Sequence, residues 1–594
     1  METKEKNKRR GLQAIILIVV AVVLAALVYF VGFPLYEEYT PGDERANLRE
    51  YFGVSGLEDS ALILGEQRWS TNALVRSGTV YWDERNIQRY LADNFWMNMD
   101  EGVLLLTTAD EVVRAEAGAL FYTRHAEVMP AEGIEPVVVK TEMPVFFIEG
   151  GKGFIALDYV KLFSNFTYEL FHEPYRVQIH FNDLTYKGAE VLKKTELRAS
   201  TGIKSKILCD LAAGDTVYVL NRMEEWSRVR TDDAFVGYVE NRRLSEESFD
   251  IEVMVPQDYE PPPFTALTED RLICIAWHMI AVMDGNGTLA SRLENNAWPL
   301  DVISPTWYAL EGSQGTVKSL ASKDYIDNAH AQGLQVWPLI DDFLFDLDSD
   351  IRRQERTAML MSTESRNNFV SYLIDQAYEL GFDGINLDFE LVHVDAASGY
   401  EQLVRELSVA CRAHGLVFSI DNYPPRAHTE HYNRRLQGQV ADYVIIMGYD
   451  EHWGSSSGAG SVASLPFVVD AIERTLSVVP AHKTINAVPF YTRIWYTNHS
   501  DGSVGVELTV GQERQDRWVG ERGLEPIWSE ELGQFYTQID ERNRTYQVWL
   551  ENEASMQARL EAMKSYGLGG VACWQIGLEP PQIWDILGEY TSGQ

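Results

Sequence analysis

From residue 268 to the end of the chain, apolar strand-like runs alternate with segments of helical periodicity. The eight runs are 272–280, 300–309, 335–340, 384–390, 417–422, 443–449, 484–490 and 570–576, and helical segments include 364–380, 400–414 and 554–566. Their continuous hydrophobicity is typical of parallel strands that are buried on both faces. Eight such units in about 325 residues predict a (β/α)8 TIM barrel. Residues 497–553 are predicted to form a small α+β insertion. A doubly wound open sheet is the alternative, but no glycine-rich phosphate loop follows any run.

The fourth run places an amide and two acids on one face of a strand. Asn386, Asp388 and Glu390 alternate there with large apolar side chains. Successive side chains of a strand point to opposite faces, so these three share one face. Acids crowded on one wall repel each other and lose hydration, which is unfavourable. An ordinary solvated edge is the alternative, and it fits poorly because the intervening residues are apolar. The row therefore predicts a functional site.

The carboxyl ends of the predicted strands carry acids and aromatic rings. In a barrel of this kind, reactive groups collect at those ends. The rule gathers Glu390, Asp388, Asn422, Tyr449, Asp450, Tyr491, Arg493 and Trp574. Rings that pack on sugar faces, together with carboxyls that handle a glycosidic bond, favour a sugar polymer as substrate. His278 and His452 are too scattered for a metal centre and are interpreted as hydrogen-bonded wall residues, so neither a metal nor an organic cofactor is expected.

Several motifs resemble those of one enzyme family. Residues 383–390, Asp-Gly-Ile-Asn-Leu-Asp-Phe-Glu, resemble the signature Asp-Gly-x-Asp-x-Asp-x-Glu of family 18 glycoside hydrolases, the chitinase family. The motifs at 304–307, 447–450 and 488–491, and Trp574, are similar to family motifs in the same order. The resemblance covers about 268–590. Residues 449–453 and 549–551 are closer to the subgroup of bacterial spore-cortex and wall-lytic N-acetylglucosaminidases.

The resemblance implies substrate-assisted retaining catalysis. Glu390 would be the general acid and base, and Asp388 would stabilise an oxazolinium ion formed by the substrate's own acetamido group. Tyr449 and Asp450 would hold that group, and Trp574 would form the floor of the cleaved subsite. This chemistry requires a 2-acetamido sugar and no cofactor.

One residue departs from the family signature. Asn386 stands where chitinases carry an aspartate, so Asp388 loses a repelling neighbour. We therefore expect the pKa of Asp388 to lie lower than in chitinases. The remaining predicted substrate-binding residues are Asn386, Asn422, Tyr491, Arg493 and Trp574.

The N-terminal residues have the pattern of a membrane anchor. A basic tail, 1–13, precedes an uncharged stretch, 14–33, and acidic residues follow it. Twenty apolar residues can span a bilayer, and the positive-inside rule places the N-terminus in the cytoplasm. A cleaved signal peptide is the alternative, although its apolar region is normally shorter. We expect a single-pass anchor with the catalytic domain outside the cytoplasm, in a Gram-positive-type bacterium.

Three further segments separate this anchor from the barrel at 268–594. Residues 45–185 read as an α+β domain with an internal repeat of strand, short helix and strand pair. The second repeat weakly resembles copper amine oxidase N-terminal-like domains, without implying copper, and a docking or spacer role is expected. Residues 190–247 contain short strands separated by turns and resemble bacterial SH3-like domains, which implies contact with wall peptides; a spacer is the alternative. Residues 248–267 form a proline-rich acidic linker.

The composition limits the classes of molecule that the chain is expected to bind. A net charge of −37 and a pI near 4.7 argue against nucleic-acid binding. Four widely spaced cysteines predict buried free thiols, with a single disulfide as the alternative. The leading hypothesis is a membrane-anchored hydrolase of cell-wall glycan, most plainly peptidoglycan. The alternatives are a chitinase or chito-oligosaccharide hydrolase and a catalytically silent glycan-binding wall protein.

Overall fold

The computed structural model describes residues 2–32, 39–125, 136–246, 249–289, 299–344 and 347–592. The first helix, α1 (Glu2–Leu27), continues as a π-helix over Val28–Gly32. Its stretch Gly11–Val31 is 21 residues long, apolar and unburied, and is long enough to cross a membrane. A membrane anchor and a signal sequence share these properties. The predicted end of the span, Phe33, lies outside the described residues.

The chain divides into two compact units, 1–93 with 154–260, and 94–153 with 261–594. Three short helices precede residue 260: α2 (Leu48–Phe52), α3 (Glu84–Tyr90) and α4 (Leu157–Val160). The strands up to that residue are β1 (Asp59–Leu64), β2 (Gln67–Arg76), β3 (Thr79–Asp83), β4 (Phe95–Asn98), β5 (Val103–Thr107), β6 (Val112–Glu116), β7 (Phe121–His125), β8 (Val137–Lys140), β9 (Phe146–Glu149), β10 (Lys152–Ala156), β11 (Thr167–Phe171), β12 (Arg176–His180), β13 (Leu184–Glu190), β14 (Thr195–Arg198), β15 (Ile207–Leu211), β16 (Thr216–Arg222), β17 (Trp226–Arg230), β18 (Val236–Glu240) and β19 (Phe249–Val253).

The first unit contains two sheets. One has neighbouring strands in the order β11-β12-β1-β2-β3-β10, and the other runs β15-β14-β18-β17-β16-β13-β19 with antiparallel pairing throughout. Leu197, Val217, Val229 and Val239 are fully buried in the core beside the second sheet. This small all-β fold over β14–β18 is the one that the sequence predicts for residues 190–247.

The internal repeat of residues 45–185 is visible in the order of elements. Both β3-α3-β4-β5 and β10-α4-β11-β12 consist of a strand, a short helix and an antiparallel strand pair. The compact units nevertheless divide this stretch, because residues 94–153 cluster with the C-terminal unit. The predicted domain boundaries and the likeness to amine oxidase domains stay predictions.

The second unit contains a β-meander of its own, β4-β5-β6-β7-β8. The apolar face of this meander contacts Val409 in the later part of the same unit. The meander residues in this cluster are Trp96, Val103, Leu105 and Val112. The amide of Gln402 also donates to Thr107 at 3.0 Å. Residues 94–125 are therefore packed against the helical exterior of the C-terminal region.

The remaining strands are β20 (Ile273–His278), β21 (Val302–Leu310), β22 (Val317–Ser319), β23 (Gln335–Val336), β24 (Leu339–Asp341), β25 (Gly384–Asp388), β26 (Val417–Asn422), β27 (Tyr443–Met447), β28 (Thr484–Pro489), β29 (Tyr491–Asn498), β30 (Val504–Gly511), β31 (Ile527–Ser529), β32 (Gln534–Glu541), β33 (Arg544–Leu550) and β34 (Gly570–Trp574). The helices are α5 (Lys323–Ala331), α6 (Ser349–Met361), α7 (Thr363–Leu380), α8 (Ala397–His414), α9 (Arg434–Val440), α10 (Leu465–Leu476), α11 (Gln512–Glu521), α12 (Glu553–Tyr566) and α13 (Gln582–Thr591).

Eight parallel strands close into a barrel in the order β20-β21-β24-β25-β26-β27-β28-β34, and β34 pairs again with β20. The predicted TIM barrel is confirmed, and each predicted run overlaps one barrel strand; β23 and β24 together are the third. The insertion begins earlier than predicted, because β29 directly follows β28. It forms the five-stranded sheet β30-β29-β33-β32-β31 with α11.

The segment that leads into the fourth barrel strand has clear local causes. Ser362 caps α7 by accepting a hydrogen bond from the Ser365 N–H, and Gly381 ends the helix with φ +78°. On β25, Ile385 and Leu387 are fully buried among helix residues. Phe389 packs edge-on against Phe369 of α7, with ring centroids 5.7 Å apart. The apolar face of the row therefore points outward to the helices, and its polar face points into the barrel.

Candidate active site

Asp388 and Glu390 lie at the carboxyl end of β25, where the barrel rule predicts them. Asp388 is only 6% exposed and Glu390 is half-buried. One carboxylate oxygen of Asp388, Oδ1, is buried and has no hydrogen-bond partner among the described residues. A buried acceptor without a donor is unfavourable, so this oxygen is available to a donor on a ligand.

The environment of the site raises the pKa of both acids. Burial raises the pKa of Glu390 to about 7, helped by the charges of Asp342, Asp450 and Asp341 and opposed by a hydrogen bond from Tyr423. Near neutral pH this group is therefore present in both the protonated and the ionised form, as a general acid and base must be.

The pKa of Asp388 is raised in this structure, and the comparison with chitinases stays a prediction. Burial raises that pKa well above its ordinary value, and the charges of Glu390, Asp421 and Asp342 add to the effect. Asn386 does remove one acid from β25. However, Asp421 on the neighbouring strand β26 brings another carboxylate to Asp388, which the motif alone does not reveal.

The backbone at Glu390 is fixed by a buried ion pair. Asp342, which is fully buried, accepts hydrogen bonds from the N–H groups of Glu390 at 3.0 Å and Leu391 at 3.2 Å. Arg356 of α6 holds the same carboxylate at 2.7 Å and donates to the Leu391 carbonyl at 3.0 Å. This clamp sets the position from which the Glu390 side chain enters the site.

Asp450 is held at the mouth by two neighbours. The Tyr491 hydroxyl donates to Asp450 Oδ1, and Arg493 lies 2.7 Å from the same oxygen. Asp450 itself adopts a left-handed backbone conformation, φ +59°, which positions its side chain beside these partners. Tyr449 packs edge-on against Tyr491, with ring centroids 6.3 Å apart. The structure thus brings all four predicted residues together, with Tyr491 and Arg493 in contact with Asp450.

Trp574 lies at the end of β34, half-buried beside Trp277, with ring centroids 5.8 Å apart. Both rings belong to the apolar cluster inside the barrel, which Tyr449 also contacts. An aromatic surface is therefore present where the sequence predicts a subsite floor.

Two predicted substrate-binding residues lie elsewhere. Asn422 points away from the barrel interior: its amide nitrogen donates to Gln437 Oε1 of α9 at 2.6 Å, and the Gln437 amide donates back at 3.2 Å. Asn386 is 1% exposed, and its amide is fully hydrogen-bonded inside the barrel. Both side chains are placed to support the barrel wall, and neither is exposed to a substrate.

Tyr423, Asp421, Asp341 and Asp342 were missed by sequence reasoning. The strand-end rule carried the signal for Asp341 and Asp342, which follow the apolar pair Leu339–Ile340. On β26 the prediction of Asn422 assumes the wrong parity: Asn422 faces outward, and Asp421 beside it faces the barrel interior.

The predicted histidine roles are confirmed. His278 makes hydrogen bonds to Tyr325 at 2.9 Å and Thr288 at 3.1 Å, and His452 contacts the Ser461 carbonyl at 3.0 Å. Among the described residues, no three His, Cys, Asp or Glu side chains are grouped to hold a metal ion. Cys274, Cys411 and Cys573 are buried free thiols and Cys209 is a half-buried one, which confirms the prediction of free thiols.

Comparisons with known proteins agree with this geometry. Residues 354–579 match the model of glycosyl hydrolases family 18, and residues 193–245 match that of the bacterial SH3 domain. The cortical fragment-lytic enzyme of Bacillus subtilis (strain 168) is 26% identical over 41% of this chain and 58% of its own length. The uncharacterised glycosylase YvbX of the same strain is 23% identical over 49% of this chain and 85% of its own.

Among solved structures, the spore cortex-lytic enzyme SleL of Bacillus megaterium QM B1551 has a TM-score of 0.46 at 18% identity, covering 57% of this chain and 76% of that one. The alignment to the cortical fragment-lytic enzyme spans little more than half of that relative. The two family models show that the C-terminal barrel contains a glycosyl hydrolase family 18 domain, matched over residues 354–579, and that residues 193–245 form a bacterial SH3 domain.

Proposed function

We propose that the protein is an extracytoplasmic glycosidase that cleaves β-linked N-acetylglucosamine-containing glycan, with peptidoglycan as the leading substrate. One observation carries the proposal. A buried carboxylate oxygen without a partner, Asp388 Oδ1, lies beside Glu390, whose pKa is raised to about 7. The first can accept a hydrogen bond from an acetamido N–H, and the second can give and take a proton near neutral pH.

The proposed reaction has two steps. In the first, protonated Glu390 gives its proton to the leaving glycosidic oxygen while the substrate's acetamido carbonyl oxygen attacks the anomeric carbon. The product is an oxazolinium ion, whose positive charge favours the ionised form of Asp388 and is stabilised by it. In the second step, ionised Glu390 takes a proton from water as that water attacks the same carbon. Attack twice on one centre retains its configuration, and Glu390 returns to its starting state.

The remaining mouth residues position the sugar. Tyr449 and Asp450 would hold the acetamido group, with Asp450 itself held by Tyr491 and Arg493. Trp574 would lie under the cleaved sugar, because aromatic rings pack well on sugar faces.

Three features favour wall glycan over free chitin. The apolar helix near the N-terminus can hold the protein at a membrane, with the barrel on the outer side. The SH3 domain is a binding module that can contact wall peptides. Curated relatives include a cortical fragment-lytic enzyme. The anchor is tested by cell fractionation with a tag after residue 594: release of the tagged protein into the medium, shortened at the N-terminus, would show a cleaved signal peptide.

The substrate is tested by mass spectrometry of products from purified peptidoglycan and from N-acetylglucosamine oligomers. We expect wild-type protein to release muropeptides with a new reducing-end N-acetylglucosamine. The Glu390→Gln variant should lose roughly 100-fold or more of this activity, the usual contribution of a general acid. Products from the oligomers alone would assign chitin in place of peptidoglycan. No products from either substrate would contradict the proposed activity.

A further inference from the structure

Asn386 is enclosed inside the barrel by polar groups from three other strands, the adjacent β26 and the more distant β20 and β21. Its carbonyl oxygen accepts hydrogen bonds from Trp277 Nε1 at 2.9 Å and from the Ser304 hydroxyl at 3.3 Å. Its amide nitrogen donates to the Ser419 hydroxyl at 3.1 Å and to Asp421 Oδ1 at 2.9 Å. All four contacts are buried, so water does not compete for them.

The orientation of this amide follows from the chemistry of Trp277. An indole N–H can only donate, so the Asn386 atom that faces it must be the carbonyl oxygen. The amide NH2 group then necessarily faces Asp421, which must accept. An aspartate at position 386 would instead place two carboxylates in contact, which requires a shared proton. Asn386 and Asp421 are therefore a matched pair.

The strand register brings Asp421 next to Asp388 as well. Asn386 pairs with Ser419, and Leu387 pairs with Ile420, in the parallel ladder of β25 and β26. Asp388 and Asp421 each follow that last pair by one residue, so they stand abreast on strands about 4.8 Å apart. Both have the parity that points into the barrel, and Asp421 is only 3% exposed.

We infer that Asp421 supplies, from β26, the second buried carboxylate that position 386 does not supply on β25. This role deepens the proposed function and rests on it. Asp421 is a positioning residue: it orients Asn386 and shares one proton with Asp388. When Asp388 ionises to face the oxazolinium ion, that proton moves to Asp421, and it returns when the ion is hydrolysed. The reaction therefore gains and loses no proton at this pair.

The charges around the pair agree with a shared proton. Burial and the charge of Glu390 raise the pKa of Asp421, while the hydrogen bond from Asn386 lowers it. Because Asn386 donates to Asp421 and no described donor contacts Asp388 Oδ1, the ionised form is better stabilised at Asp421 and the resting proton is favoured on Asp388. The other titratable groups that face the pair are Asp341 at the end of β24, Asp342 after it, Tyr423 after β26, Tyr449 after β27 and Tyr400 on α8.

The test compares Asp421→Asn, Asn386→Asp and the double variant on purified peptidoglycan, with kcat/KM measured against pH. In Asp421→Asn, Asp388 loses a repelling charge, so the acidic limb should move down by about one pH unit. With no acceptor for its proton, kcat should also fall by about tenfold at little change in KM. Asn386→Asp should move the acidic limb upward. The double variant returns the acid to β25 and should restore most of the wild-type profile.

Ser419→Ala is the matched control, because it removes a hydrogen bond to Asn386 but no charge, and we expect no shift of the acidic limb. A profile of Asp421→Asn that superimposes on the wild type would overturn the inference. So would a double variant whose two defects simply add.

A second measurement does not depend on activity. A folded protein whose buried acids have raised pKa values loses stability as pH rises, because the folded state still binds protons that the unfolded state has already released. The unfolding free energy of the wild type should thus fall between pH 5 and pH 8, and Asp421→Asn should reduce that fall. An unchanged fall in Asp421→Asn would overturn the inference, whether or not the wild type is active. Inactivity of the wild type on every glycan would contradict only the proposed function.

Discussion

Buried acids occur on both sides of the barrel wall, and the two groups differ in whether a cation pairs with them. Outside the wall, Glu406 of α8 receives two hydrogen bonds from Arg366, at 2.8 and 3.1 Å, and one from Gln402 at 3.0 Å. The Arg366 guanidinium lies 4.1 Å from the centre of the Trp96 ring. Glu551 likewise binds Arg559 through two contacts of 2.7 Å. Each of these carboxylates has a cation.

Inside the wall, the acids have no such partner. In the part of the chain that the structure describes, no lysine, arginine or histidine forms an ion pair with Asp388, Asp421 or Glu390. Their neighbours are other carboxyls, tyrosines and one amide, and the pKa of each acid is raised. The flanking acids do have arginines: Asp450 pairs with Arg493 at the mouth, and Asp342 pairs with Arg356, which fixes the backbone of Glu390.

The contrast separates stability from function. A buried acid that forms two hydrogen bonds with an arginine has its charge neutralised. Removing either partner leaves the other charge buried without a counter-charge. A buried acid among other acids destabilises the fold and is retained where a proton has to be exchanged. Substitutions on the two sides of the wall should therefore have opposite effects on stability.

The largest effect is expected outside the wall. Glu406→Gln leaves the Arg366 charge buried without a counter-charge, which costs about 3–5 kcal/mol of unfolding free energy. Urea denaturation followed by fluorescence measures this loss. Glu390→Gln is the matched control, since the same substitution inside the wall removes an unpaired acid and should leave the stability equal or higher. Equal losses in both variants would remove the distinction between the two sides.

The pH dependence of stability sharpens the same comparison. In the unfolded chain Glu390 loses its proton near its ordinary pKa of 4.5, whereas in the folded chain it keeps the proton up to about pH 7. The folded state therefore binds more protons between these values, and wild-type stability falls as pH rises through that window. Relative to wild type, Glu390→Gln should gain little at pH 4.5 and on the order of 1–3 kcal/mol at pH 8.

Urea denaturation at both pH values measures this gain. Glu561→Gln, which replaces a surface acid of α12 that lies away from the barrel interior, serves as the control and should show no such trend. A gain for Glu390→Gln that does not change with pH would contradict the raised pKa.

Local sequence patterns were sufficient to predict the barrel and the core of the site. Eight apolar runs separated by helical periods have few other ways to bury both faces, so the strand count and order followed. The alternation on β25 placed Asp388 and Glu390 correctly, because the outward residues there are all large and apolar. In both cases each segment could be interpreted by itself, without knowledge of which other segment it pairs with.

The parts that the sequence did not reveal depend on pairing between segments. On β26, residues 417–422 are all buried, so burial alone does not indicate which parity faces the interior. Only the register with β25 shows that Ser419 and Asp421 point inward and that Asn422 points to α9. The Arg366–Glu406 pair joins residues of α7 and α8 that lie 40 positions apart in sequence, and the Trp96 ring that covers it comes from β4, far upstream. No local motif records such contacts.

The smallest predicted effect lies where the interior site meets solvent. The Tyr423 hydroxyl donates a hydrogen bond to the Glu390 carboxylate, which favours the ionised form and lowers the pKa of Glu390. Tyr423→Phe removes this donor and keeps the ring. The pKa of Glu390 should then rise, so the basic limb of kcat/KM, where the general acid loses its proton, should move upward by about half a pH unit.

The direction of that shift is what distinguishes a proton-tuning phenol from a mere wall residue. Tyr325→Phe, which removes a buried hydroxyl bonded to His278, is the matched control and should leave the basic limb in place. If Tyr423→Phe lowers the rate equally at every pH, Tyr423 contributes only to packing or to substrate contact. A downward shift of the limb would mean that the Tyr423 hydroxyl stabilises the protonated form of Glu390. The hydroxyl would then raise the pKa of Glu390, the opposite of the effect assigned to it here.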